Sequence, residues 1–139
     1  MPMNPGLRAA YEKALYVVYG TPELVLRVGE PSEALDALMD EEGAETAAFL
    51  TAANPRGELQ AKRDNELGAA ALHQGLADAG YSCLLGEGRD PKGEWPPEPS
   101  VLALGISRHE AMVTGRSYEQ NAIVFIERGR PAELVPLED

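Results

Sequence analysis

Residues 81–106 read YSCLLGEGRDPKGEWPPEPSVLALGI, and the choice of fold class turns on this stretch. Its two ends, residues 81–85 and 101–106, are apolar runs of strand length. Between them, residues 86–99 hold three glycines and four prolines, which break any helix and predict a long loop over the surface. Two strands in succession with no helix between them interrupt the strand–helix alternation that a doubly wound parallel sheet requires.

Working outward, residues 62–79 carry Ala69, Leu72, Leu76 and Ala79 at helical spacing and stop at Gly80. Residues 46–51 are apolar on both faces, as expected of a central strand. Ser32 opens a helix that runs to about Glu42, with Gly43 as the left-handed residue past its end. Residues 24–28 form a short strand bounded by Pro22 and Gly29. Asn4 and Pro5 start a first helix whose apolar residues recur at steps of three and four until about Gly20. On the C-terminal side, Ser107 and Glu110 form a capping box before a helix ending near Gly115, with strands at 121–127 and 133–137 beyond it. The expected fold is α+β: a mixed β-sheet of about five to six strands with about four helices packed on it, in a single domain over residues 1–139.

The chain carries 23 acidic against 12 basic side chains, a net charge of −11, which disfavours duplex nucleic acid and anionic membrane surfaces as partners. Between Arg27 and Arg56 no basic residue occurs, while Glu30, Glu33, Asp36, Asp40, Glu41, Glu42 and Glu45 do. This is a solvated helix face or a docking surface for a basic protein partner. One cysteine, no acceptable glycosylation sequon, no signal-like apolar run and no stretch of membrane-span length together predict a cytoplasmic protein.

Several familiar sites are excluded. Gly86, Glu87 and Gly88 follow a strand, but the prolines after them forbid the helix that a dinucleotide fingerprint needs. His73, His109 and Cys83 fall on separate elements, so no zinc site is expected. Cys83, mid-strand among apolar residues, reads as an inert core thiol.

The remaining candidates flank strands. Arg56, beside Asn54 and Pro55, offers a planar fork of donors for a phosphate or carboxylate, or is a solvated turn residue. Trp95, the only tryptophan, is either a hydrophobic peg for its loop or a stacking surface for a ring-shaped ligand. The loop acids, Glu98 among them, offer a general base or ligands for a divalent cation, or are simply solvated. Arg116 is a second possible cation, and Gln120 with Asn121 enters a buried strand, where both amides must lock a neighbouring loop or face a ligand.

Six pieces in order, Phe49 to Pro55, Asn65, Gly86-Glu87-Gly88, Trp95-Pro96-Pro97-Glu98 with Ser100, Gly105-Ile106-Ser107 and Gln120 to Val124, resemble the bacterial proteins grouped as domain of unknown function 3293. The resemblance spans roughly residues 11–135, and it departs from the family's pattern at Ala53, where an aromatic residue often stands. It implies that Asn54, Asn65, Glu98, Gln120 and Asn121 belong to the family's pattern. Arg56 and Arg116 rest on residue chemistry alone.

Two functions follow as expectations. The first is binding of a small polar or anionic metabolite, such as a nucleotide or phosphate-like compound. In it Arg56 and Arg116 meet the anion, Trp95 covers an apolar part, Asn54, Asn65, Gln120 and Asn121 orient the ligand, and Glu98 acts as general base. The second is a protein-interaction or regulatory role through the acidic second helix. Neither specifies a cofactor.

Overall fold

The computed structural model describes residues 4–137. In chain order the elements are α1 (Pro5–Lys13), β1 (Leu15–Val18), β2 (Leu24–Leu26), α2 (Glu33–Glu42), β3 (Thr46–Thr51), a short turn of helix at Pro55–Gly57, α3 (Lys62–Asp78), β4 (Ser82–Arg89), β5 (Glu98–Leu104), α4 (Arg108–Ser117), β6 (Ala122–Glu127) and β7 (Glu133–Pro136). The class is α+β with four main helices, as expected. The sheet has seven strands, in the order β2-β1-β4-β5-β3-β6-β7, and every ladder in it is antiparallel. The one parallel pairing is an isolated bridge between Val28 and Ala132, just outside the two edge strands. There Gly29 N–H donates to the Ala132 carbonyl at 2.8 Å, and Ala132 N–H to that of Glu30 at 3.2 Å. The sheet therefore curls until its edges meet.

Strand periodicity divides the core in two. Ala47, Phe49, Leu102, Leu104, Val124 and Ile126 join residues from both edges, Leu26 and Leu134, in one cluster that α2 plugs with Leu35 and Met39. Their sequence neighbours Ala48, Leu50, Val101, Ala103, Ile123 and Phe125 face the other way, under Leu72 and Leu76 of α3 and Ala111 of α4. Both faces are covered, which explains why β3 and β6 read as continuous apolar runs. The helix starts follow the expected capping: Asn4 Oδ1 accepts from the N–H groups of Gly6 and Leu7, Ser32 Oγ from Leu35, and Ser107 Oγ from Glu110.

Two expectations change. The first helix stops at Lys13, and Leu15–Val18 is a strand, because Tyr16, Val17 and Val18 suit a pleated surface and pair on both sides, with β2 and β4. The long loop shrinks to residues 90–97, since Gly86, Glu87 and Gly88 continue β4 opposite Ser100, Pro99 and Glu98. These glycines do not end the strand. A β-carbon at Gly86 would lie 2.0 Å from the Val17 carbonyl oxygen, so the close approach of β1 requires glycine there.

Gly86→Ala should therefore cost about 3 kcal/mol, read from the urea midpoint, because the clash is with backbone. Gly88→Ala, whose added carbon meets nothing within 4 Å, should stay within about 0.5 kcal/mol of the parent. Equal effects at the two positions would refute the close-approach account.

Candidate functional site

The end of β3 runs into a polar knot. Asn54 is only 7% exposed and adopts a left-handed backbone (φ 46°), which asparagine tolerates better than most residues. Its N–H donates to Asn65 Oδ1 at 2.9 Å, and its Oδ1 accepts from Asn65 Nδ2 and from the Gln60 N–H, each at 3.0 Å. Its remaining donor, Nδ2, reaches Glu98 Oε2 at 2.6 Å. Asn65, one turn into α3, also takes a bond from Gln60 Nε2 at 2.7 Å. One side chain thus ties the exit of β3, the segment before α3, α3 itself and the start of β5.

A second seam joins the same turn to the end of α4. Gln120 Nε2 donates to the Ala53 carbonyl at 2.9 Å, and Arg56 N–H to the Glu119 carbonyl at 2.7 Å. The three non-glycine residues with positive φ, Asn54, Arg56 and Glu119, all lie on these two seams. Backbone held in such sparsely populated conformations needs surrounding contacts to fix it.

Glu98 faces a hollow of two adjoining chambers. The outer, about 190 Å³, lies between α1 and the 54–59 segment, with Leu7, Leu59 and Gly57 on its walls. The inner, about 40 Å³, reaches Tyr16, Phe49, Ser100 and Gln120. Tyr11, Trp95 and Glu98 border both. Burial raises the Glu98 carboxyl above its ordinary 4.5, and the bond from Asn54 offsets part of the rise. Burial also raises the Tyr11 phenol, against a hydrogen bond from Asn121 and with a further push from the Glu98 charge. The Tyr16 hydroxyl, raised chiefly by burial, donates to the Tyr11 carbonyl at 2.5 Å. Both phenols stay neutral at physiological pH and act as aromatic walls, Tyr16 also as a donor.

The sequence candidates separate accordingly. Asn54, Trp95, Glu98 and Gln120 line the hollow, so the segments around 54, 95 and 120 do converge. Asn65 and Asn121 line neither chamber: Asn65 is bonded to Asn54, and Asn121 lies close to Tyr11. Arg56 and Arg116 line neither chamber. Arg56 is 73% exposed and turned to Glu119 at 3.1 Å, because its left-handed backbone points the side chain outward along the second seam. Arg116 is exposed in the last turn of α4. Trp95 packs against the inner cluster while bordering the hollow, so it both anchors its loop and forms a wall.

Sequence reasoning missed Tyr11, Tyr16 and Gln60. By spacing alone Tyr11 falls in the apolar stripe of the first helix and reads as a core residue. Two acids of α2 and one beyond it are already engaged: Asp36 accepts from the Gly129 N–H at 2.9 Å, Asp40 pairs with Arg128 at 3.1 Å, and Glu45 pairs with the same arginine at 3.0 Å. Among the described residues, no group of three or more His, Cys, Asp or Glu is arranged to hold a metal ion. Among the same residues, no helix is long and apolar enough to cross a membrane.

Fold and site together define a class: a curled antiparallel α+β protein with a half-buried carboxyl beside an aromatic hollow. More particularly, the chain belongs to the family described as Protein of unknown function (DUF3293), which matches residues 50–123, over half of its 139 residues. No curated protein and no solved structure matches the chain. The matched segment contains Asn54, Asn65, Trp95, Glu98, Gln120 and Asn121, whereas Tyr11 and Tyr16 precede it.

Two outcomes test this geometry. A carboxyl raised above 4.5 in the folded state penalises folding where it is ionised, so Glu98→Gln should raise the melting temperature at neutral pH. The gain should shrink as pH falls through the raised value and level off below 4.5; calorimetry showing a gain that grows on acidification would contradict the assignment. Asn65→Ala, which strips a partner from the buried Asn54 N–H, should cost about 2 kcal/mol in urea denaturation.

Proposed function

We propose that this protein binds a small polar metabolite in the hollow bordered by Tyr11, Trp95 and Glu98. The observation that carries the reading is the position of Glu98: a half-buried carboxyl, fixed on one oxygen by Asn54, beside a space large enough for a small molecule. Such a group is costly to keep in a fold and suits proton transfer or recognition of a donor. In this reading Trp95 and Tyr11 cover the apolar part of the ligand, Gln120 presents its amide oxygen, and Asn54 orients the carboxyl.

The anionic part of the expectation, a nucleotide or phosphate gripped by Arg56 and Arg116, loses its support because neither guanidinium borders the hollow. The partner-docking alternative is weakened as well, since Asp36, Asp40 and Glu45 already hold the turn between β6 and β7.

A thermal-shift screen of amines, amino acids, sugars, nucleotides and sugar phosphates provides the test, because a ligand of the folded state raises its melting temperature by mass action. Trp95→Ala and Glu98→Gln should each abolish the rise that a hit produces, while Arg56→Ala should preserve it. A hit lost on Arg56→Ala and retained in both other variants would remove the hollow as the site.

A further inference from the structure

We infer that the hollow receives a small organic cation, an ammonium group carrying apolar substituents, held by the Glu98 carboxylate and the aromatic walls of Tyr11, Trp95 and Tyr16. This rests on the reading of the hollow as a binding site and adds the charge and shape of the ligand. Three observations carry it. The first is the sign of the charge: among the described residues, Glu98 is the only ionic side chain bordering either chamber, and no lysine, arginine or histidine does. An anion entering there would meet a carboxylate with no counter-ion. The expected cations lie elsewhere, Arg56 being paired with Glu119 on the surface.

The second is the composition of the walls. Tyr11 and Trp95 border both chambers, and Tyr16 lines the inner one, where it meets Phe49 edge to face with ring centroids 5.3 Å apart. Several aromatic rings around one carboxylate form the arrangement that recognises substituted ammonium groups, through attraction of the cation to the ring faces. A neutral apolar guest would fill the same space but leave the carboxylate without a partner. The third is supply: Glu98 Oε2 is occupied by Asn54, which fixes the carboxyl while contributing no charge to neutralise it. The whole molecule, at −11, also favours the approach of cations over anions.

The sole tryptophan stands in the wall, so its emission reports on the hollow directly. Intact protein is titrated at constant ionic strength with choline chloride, with tetramethylammonium chloride, with dimethylbutanol as the neutral carbon isostere of choline, and with sodium phosphate. Both cations should shift the Trp95 emission saturably, choline binding about tenfold or more tighter than dimethylbutanol. Glu98→Gln, which retains an acceptor for Asn54, should lose that advantage. Tyr11→Leu, which keeps apolar surface and removes a ring, should weaken choline selectively.

Equal binding of choline and its neutral isostere would overturn the inference and leave the hollow as a site for neutral molecules. Saturation by phosphate but by neither cation would overturn it too. If no probe moves the emission, the inference falls; a hit in the thermal-shift screen that depends on Trp95 and Glu98 would then still uphold the hollow as a binding site, and the absence of such a hit would remove both.

Discussion

The Asn54 carboxamide is the constraint on which the site depends. Its oxygen and nitrogen, together with the Asn54 backbone N–H, make four hydrogen bonds to partners from three separate stretches of chain. In a buried position each unmade bond costs more than a made one gains, so the knot is stable only when complete. Completion demands that β3 end where it does, that α3 begin with Asn65 facing inward, and that β5 start with Glu98 on the same side. The left-handed turn at Asn54 and Arg56 is then a consequence: the backbone is bent so that the amide can reach all its partners at once. Gln120 extends the constraint to α4 by closing on Ala53 from the other direction.

Much of the fold was legible because its signals are local. Caps at Asn4, Ser32 and Ser107 and the left-handed Gly43 are decided by a few neighbouring atoms, and sequence reading located each. What failed was decided by distant chain. Leu15–Val18 satisfies helical spacing taken alone, and only pairing with β2 and β4 makes it a strand. The glycines at 86 and 88 look like breakers until β1 crosses so near that no β-carbon fits at Gly86. Closure of the sheet through Val28 and Ala132 joins residues about a hundred positions apart, and no local pattern marks it.

The site divides along the same line. Asn54, Trp95, Glu98 and Gln120 were identifiable as polar or aromatic residues in segments flanking strands, where side chains without a core role stand out. Arg56 and Arg116 had the same credentials, and the mistake was to let charge stand in for direction: a left-handed backbone at Arg56 sends the guanidinium to Glu119. Tyr11 failed in the opposite sense. On a helix face it is indistinguishable from a core aromatic, and it becomes a wall only because α1 ends early and lies over the opening beside Trp95.

The chemistry of Glu98 gives the functional reading its weight. A scaffold that needed only an acceptor for Asn54 would be served by glutamine, which supplies one without the cost of burying a negative charge. The pair as it stands retains that cost: burial raises the carboxyl's affinity for protons, and a single hydrogen bond from a neutral amide recovers only part. The surrounding fold does not supply the missing counter-charge, although arginines at 56, 89 and 128 are all engaged with carboxylates elsewhere. An ionisable group maintained at a loss, beside open space and aromatic walls, is what supports the proposal that its complement arrives from solution.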